Sequence, residues 1–391
     1  MSRNFRFLET KVVHAGEPQP RISGAVRMPI FQSAMFEYAG ETSYHDLKYI
    51  RLNNTPGHVA LHAKLAALEN GEAALVAASG MAAISTTLLT VLSPGDRLLA
   101  QDCLYGGTYD FLTTECSKLG IETDFVDAHD PPSWSGRLTP RTRAIYVESI
   151  TNPRVQVADL DAVVRFAREH RLVSMIDNTF ATPVNYRPLE HGFDLALHSG
   201  TKYLNGHSDI VAGAVIGSHE WIERITHRLN HLGGSLDPHA CFLLDRGLKT
   251  LVLRVRHQNA SAMTIARQLE RHPAVVRVNY PGLESHPHHR RARELFEGFG
   301  GMLSFELAGG AADADRFLKK TSLPILAPSL GGPETLLTRP AVTTHAGMRP
   351  EERQKAGIAD GLIRMSVGFE APEEILEDLF QALEAAIPAK A

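Results

Sequence analysis

Lys202 stands in the string LHSGTKYLNGHSD, directly after an apolar run and flanked by Ser199, Gly200 and Thr201. An amine at the end of a buried strand loses part of its hydration, which lowers its pKa and leaves it nucleophilic, while neighbouring hydroxyls can donate to an anion. That combination suits a Schiff-base lysine beside a phosphate. Asp177 closes the apolar run LVSMIDN, 25 residues earlier and one strand–helix–strand step away. A carboxylate there can cap a turn, or it can face a protonated ring nitrogen. In Ala78-Ser79-Gly80-Met81-Ala82 a strand gives way to Ser-Gly and then to a helix, so backbone N–H groups and the positive end of the helix dipole make an anion site. With Ser199 and Thr201 it forms a phosphate cup. Tyr105, in DCLYGGTYDF, lies at another strand-to-loop junction. Its ring can pack in the core, or it can stack on a planar cofactor with its hydroxyl available for proton transfer. Lysine, carboxylate, phosphate cup and stacking ring are the parts that pyridoxal 5'-phosphate requires.

These residues need a scaffold that gathers strand ends. Strand-length apolar runs (LVAA, RLLAQD, ETDFVD, RAIYVES, LVSMIDN, DLALHS and AGAVIG) alternate with helical segments from Ala63 onward. Such alternation predicts an α/β fold with a mostly parallel sheet covered on both faces, and ligands bind at the carboxyl ends of its strands. Before it, Pro18, Pro20, Gly24 and Pro29 interrupt any period, so residues 1–54 read as an arm. Residues 55–250 form the large domain. After it the pattern changes to one long helical stretch, LKTLVLRVRHQNASAMTIARQLERH, followed by shorter strands (VVRVNY, MLSFEL, LIRMSV), which makes 251–391 a smaller α+β domain.

With 43% hydrophobic and 21% charged residues, the 391-residue chain has the composition of a folded globular protein. A net charge of −4 gives no basic excess for nucleic acid or a membrane surface. Cys103, Cys116 and Cys241 are too few and too scattered for a disulfide framework or a zinc site, and suit reduced thiols in the cytoplasm. MSRNFRFLET lacks the apolar core of a signal peptide. The uncharged stretch Ala73 to Gly95 is long enough to span a bilayer, but Ser79, Gly80 and four further hydroxyl residues make it a buried strand, a turn and a packed helix. His286, His288 and His289 in ESHPHHRR read as a surface loop rather than a metal site, because no Asp or Cys accompanies them. No G-x-G-x-x-G follows the early strands, which excludes a dinucleotide-dependent dehydrogenase.

The strings TKVVHAG, YIRLNNTPGHVALHAKLAALE, SGMAAI, LYGGTYDF, ESITNP, DNTFATP, HSGTKYLNGHSDIVAG, DRGLKTL, YPGLESHPHH, GFGGMLSFEL, SLGGPETL and THAGM…GIADGLIRMSVGFE occur in this order over nearly the whole chain. Together they resemble the Cys/Met-metabolism group of pyridoxal-phosphate enzymes, whose members include cystathionine and methionine γ-lyases, cystathionine γ-synthase and O-acetylhomoserine sulfhydrylase. The resemblance implies a fold-type I, aspartate-aminotransferase-like enzyme that acts on a small amino-acid substrate in the cytoplasm. It makes Lys202 the cofactor lysine and proton shuttle, Asp177 the partner of the ring nitrogen and Tyr105 the stacking residue. Ser79, Gly80, Met81, Ser199 and Thr201 become the phosphate cradle. Tyr49 and Arg51 match residues that reach a neighbouring subunit's cofactor, which implies a homotetramer of dimers with shared sites. Arg364 matches the clamp for the substrate carboxylate, a bidentate task suited to guanidinium, with Asn152 and Ser329 helping to hold it.

The implied reaction is carbon–sulfur cleavage by elimination of the γ-substituent; the alternative is γ-replacement. The chain departs from the family pattern at four places. Asn53-Asn54-Thr55-Pro56 reverses the last two residues of the usual N-P-T string. Lys48 and Pro328 stand where members that handle cystathionine often carry Glu, so two carboxylates that could meet its distal ammonium are missing. Gly107 stands where methionine γ-lyases usually carry Cys.

Overall fold

The computed structural model describes residues 5–386 except 344, 345, 348 and 356, so the outermost ends of the arm and of the last segment, and part of the THAGM string, lie outside it. Seven apolar runs become strands: β1 (Ala73–Ala77), β2 (Arg97–Gln101), β3 (Glu122–Val126), β4 (Thr142–Glu148), β5 (Val173–Asp177), β6 (Leu195–Ser199) and β7 (Gly213–Gly217). They form one sheet in the order β1-β7-β6-β5-β4-β2-β3. Only β7 runs against its neighbours. Near-continuous apolarity is what a doubly covered sheet demands. Leu99, Ile145, Val147, Ile176 and Ala196 pack on one face, and Leu98, Ala144, Tyr146, Met175 and Leu197 on the other.

Five more strands, β8 (Val275–Asn279), β9 (Met302–Leu307), β10 (Ile325–Leu326), β11 (Leu336–Thr338) and β12 (Leu362–Ser366), make a second, smaller sheet in the order β10-β11-β12-β9-β8. The helix Leu251–Glu270 connects the two units. Its first half packs Leu251, Val252 and Val255 into the large unit, while Ile265, Ala266 and Leu269 pack with the small sheet. At 1.5 Å per residue, 20 residues reach roughly 30 Å, enough to join both cores.

One expectation needs correction. The arm is not wholly irregular, because Leu8–His14 is helical and buries Val12 beside Leu61 and Leu65. The long helical stretch at residues 248–272 is the helix Leu251–Glu270, and a separate helix, Pro238–Leu248, ends just before it, with Thr250 (φ −109°, ψ 4°) between them. The Thr250 hydroxyl donates to Gly247 O and accepts from Arg254 Nε, a local side-chain alternative to continued helix that hydrophobic period does not reveal. Among the described residues no helix is long and apolar enough to cross a membrane.

Candidate active site

The carboxyl ends of β4, β5 and β6 meet the helix Gly80–Val91 around a cavity of 380 Å³. Register sets what lies side by side: Glu148 pairs with Asp177, Asp177 with Leu197, and Ser199 with Gly213. The cavity gathers Ser79, Gly80, Met81, Tyr105, Asn152, Asp177, Ser199, Thr201, Lys202, Ser329 and Arg364. Of the residues expected from sequence, only Tyr49 and Arg51 lie elsewhere. Arg51 donates to Asn230 O at 2.8 Å and lies over the Tyr44 and Tyr49 rings. Lys48 lines the same arm groove and not the cavity of its own chain.

Lys202 follows β6 and is held by its backbone: its N–H donates to Ser199 O, and its carbonyl accepts from Gly206 N–H at 2.7 Å. Buried Arg254 pins the next residues by donating to Tyr203 O, Leu204 O and Gly247 O. The Lys202 ammonium donates to Ser329 Oγ at 2.8 Å. Burial, with a further push from the Arg364 guanidinium, brings its pKa down to about 8. Ser329 has φ +88°, a left-handed conformation that a serine adopts only where its surroundings impose it. They do so here, because Ser329 O accepts from Arg364 Nη2 at 2.9 Å while Ser329 Oγ meets Lys202.

Arg364, on β12, is 3% exposed. Its Nη1 donates to Asn152 Oδ1 at 3.3 Å, and its buried Nε has no acceptor among the described residues. Burial lowers its pKa to about 10, so it remains a cation at neutral pH. A buried cation with an unanswered donor is built to receive an anion.

At the other end, Ser79 caps the helix Gly80–Val91 by accepting from Ala82 N–H at 3.0 Å. Gly80 and Met81 N–H are the first two donors of that helix, where no intrahelical acceptor exists. A Cβ on Gly80 would lie 2.9 Å from Ser199 Cβ, so glycine permits the close approach that shapes this cradle. Thr201 is a qualification: its hydroxyl donates to Ala212 O and accepts from Ala212 N–H, tying β6 to the start of β7 rather than facing the cradle alone.

Two polar cavity residues escaped the sequence reading. Thr179 donates its N–H to Asp177 Oδ1 at 2.9 Å and accepts Ser199 N–H at 2.8 Å, so it links the carboxylate to the cradle. Burial raises the Asp177 pKa, and the Thr179 hydrogen bonds and nearby His198 oppose that rise. Glu148 is 5% exposed and accepts Tyr105 N–H at 2.6 Å. Burial first, then Asp177, pushes the Glu148 pKa far up, against backbone N–H bonds from Tyr105 and Asn152. The signal for Glu148 was present in RAIYVES, a carboxylate closing an apolar run as Asp177 closes LVSMID. Helix-end donors, the Asp177 carboxylate at the neighbouring strand end and the half-buried Lys202 fit pyridoxal phosphate.

The ESHPHHRR segment corrects another expectation. His286 is 4% exposed, not part of a surface loop. His288 Nδ1 accepts Val157 N–H at 3.1 Å, and its ring lies 4.1 Å from that of His129. These rings pack the small unit onto the large one.

Comparison with known proteins agrees with the geometry. A family model described as Cys/Met metabolism PLP-dependent enzyme matches residues 9–384. The chain is 43% identical to an L-methionine gamma-lyase of Pseudomonas putida, covering 96% of this chain and 97% of that protein. It is 41% identical to a cystathionine beta-lyase of Coxiella burnetii, again over 96% and 97%. The crystal structure of cystathionine gamma-lyase from Lactobacillus plantarum, complexed with L-serine, superposes with a TM-score of 0.92 at 36% identity, covering 97% of this chain and 99% of that one. With the family match running almost from end to end and the strand ends meeting around a half-buried lysine, the chain belongs to the pyridoxal-phosphate-dependent enzymes of cysteine and methionine metabolism.

Proposed function

We propose that the chain cleaves the bond between Cγ and sulfur of an amino acid, as a γ-lyase that favours methionine-like substrates over cystathionine. The observation that carries this reading is the grouping of Lys202 Nζ, Ser329 Oγ and buried Arg364 beside an otherwise apolar outer cavity. Arg364 binds the α-carboxylate through the donors left over from Asn152 and Ser329. That contact places Cα beside Lys202. Pyridoxal phosphate would be held with its phosphate on Gly80, Met81 and Ser199 and its ring nitrogen on Asp177, and would supply the electron sink that acidifies the carbon positions next to it.

A lysine with a pKa of about 8 is partly neutral near physiological pH, so Lys202 Nζ can take the Cα proton and later return it. Tyr105 is 43% exposed at the cavity mouth, where its hydroxyl can deliver a proton to the departing sulfur. The exposed Val211 and Pro328 also line the cavity, together with buried Leu330. The cavity's two carboxyls, Glu148 and Asp177, are engaged by Tyr105 and Thr179. A distal ammonium therefore finds no open carboxylate, whereas an S-methyl group finds apolar surface.

The exposed Met35, Tyr38, Tyr44 and Tyr49 of the arm support its lying against a second copy. This is the assembly, a homotetramer with shared sites in the cytoplasm, in which Tyr49 and Arg51 would act. The test is keto-acid and ammonia release by the holoenzyme from methionine, cystathionine, cysteine and O-acetylhomoserine, with and without added thiol. Release from methionine without thiol is expected. Product formation only when thiol accompanies O-acetylhomoserine would replace the reading with a transferase.

A further inference from the structure

A buried carboxylate joins the two strand ends of the site from behind. Glu69 is the last residue of the helix Pro56–Glu69 and is 1% exposed. Its Oε1 accepts from His198 Nε2 at 2.6 Å and from Asn178 Nδ2 at 3.1 Å. His198 lies in β6 between Leu197 and Ser199, and Asn178 directly follows Asp177 at the end of β5. Side chains alternate across a strand, so Asp177 and Ser199 line the cavity while Asn178 and His198 turn to Glu69. Asn178 also donates its N–H to Leu197 O and its side chain to Tyr186 O, each at 2.8 Å, which carries the pairing of β5 with β6 to the cavity edge.

Stability does not account for this carboxylate. Burial costs it hydration, and the last turn of a helix presents the negative pole of the dipole to it. Glu69 Oε2 and His198 Nδ1 are buried without a hydrogen-bond partner among the described residues, and an apolar pair of similar size would pack there at no greater cost. What the pair does hold is the relation between Asp177 and Ser199, the groups for opposite ends of the cofactor.

We propose that Glu69 is a positioning residue for the cofactor: through His198 and Asn178 it sets the spacing of the strand ends that present Ser199 to the phosphate and Asp177 to the ring nitrogen. His198 has a second effect. Burial raises the Asp177 pKa, and His198 opposes that rise together with the Thr179 hydrogen bonds. The other ionisable groups around Asp177 are Tyr146 and Glu148 of β4, with Lys202 and Arg364 lining the same cavity. The assignment concerns the cofactor, so it holds whichever sulfur amino acid is cleaved.

The test is cofactor loss from diluted holoenzyme, followed by absorbance from acid to neutral pH, beside thermal melts of each variant. Glu69→Gln keeps an acceptor for both donors and should release cofactor at close to the wild-type rate. Glu69→Leu, of similar size but without an acceptor, should release it ~5- to 10-fold faster. His198→Gln keeps an N–H toward Glu69 but removes the imidazole, so Asp177 should take up its proton at higher pH and the acid limb of cofactor retention should move up. A merely structural clasp would lower Tm and move neither readout. Wild-type retention in Glu69→Leu, or equally fast loss from Glu69→Gln and Glu69→Leu, would overturn the proposal. An unmoved acid limb in His198→Gln would overturn it as well, and that measurement stands even if Glu69→Leu fails to fold.

Discussion

Replacing Arg364 by alanine tests two consequences of one geometry. In the fold, Arg364 Nη1 and Nη2 serve Asn152 and Ser329 at 3.3 and 2.9 Å, while the buried Nε lacks an acceptor. A charge-assisted hydrogen bond to a carboxylate contributes about 1.5–3 kcal/mol, so losing it should lower kcat/KM by about 10- to 150-fold. The loss should be similar for every amino-acid substrate, since all carry the same carboxylate. The second consequence concerns Lys202. Arg364 is the one charged neighbour that pushes its pKa toward about 8, with burial as the larger cause. Removing the guanidinium should therefore raise the Lys202 pKa part of the way back. The assay is the rate of borohydride-trapped adduct formation between apoprotein and pyridoxal phosphate as a function of pH. In wild type the rate should rise through about pH 8, as the amine loses its proton. In Arg364→Ala the midpoint should move up. A loss confined to one substrate, or an unmoved midpoint, would refute the arrangement; Arg364→Lys, which keeps charge without the fork, separates the two effects.

Other changes test neighbouring contacts. A Cβ at Gly107 would lie 2.7 Å from Tyr105 Cε1, so Gly107→Cys should displace the ring. Stacking contributes about 0.5–1.5 kcal/mol, so cofactor retention on dialysis should weaken by a few-fold to about tenfold with little change in Tm. Glu148→Gln should keep an acceptor for Tyr105 N–H and retain cofactor and activity, whereas Glu148→Ala should cost about 1–3 kcal/mol in kcat/KM; equal losses in both variants would mean that the negative charge matters. Because the folded Glu148 pKa lies above its ordinary 4.5, the folded state binds more protons than the unfolded one above that pH, and wild type loses stability as pH rises. Glu148→Gln should then gain Tm relative to wild type from pH 4.5 upward, which thermal melts across pH would show. Pro328→Glu, at the exposed cavity rim, should improve cystathionine over methionine by up to about 1 kcal/mol, roughly fivefold; an unchanged ratio in competition kinetics would show that this position does not read the distal group.

Local sequence determined the parts that depend on neighbours in the chain. Apolar runs marked the inner strands of the large sheet, because a strand buried on both faces can carry little else, while the edge strand β3, Glu122–Val126, is only partly buried. Lys202, Asp177 and the Ser79-Gly80 turn were visible because each is a polar residue closing such a run, at the strand end where an α/β sheet opens to ligand. The short β10 and β11 were not visible: two and three residues carry no period, and they form strands through their pairing with each other and with β12.

Tertiary structure alone decided what faces what. Only register put Glu148 beside Asp177, and only folding of the chain end onto the large unit placed Arg364 and Ser329 against Lys202, across sequence separations of 162 and 127 residues. Ser329 shows the difference in one residue. Its type gives no hint of a positive φ, which exists because Lys202 and Arg364 hold opposite sides of it. Lys48 lies on the arm beside Tyr49 and Arg51, away from the cavity of its own chain. A residue's chemistry is written in its side chain, but its pKa, its partners and the cavity it faces come from packing between distant segments, which local pattern does not encode.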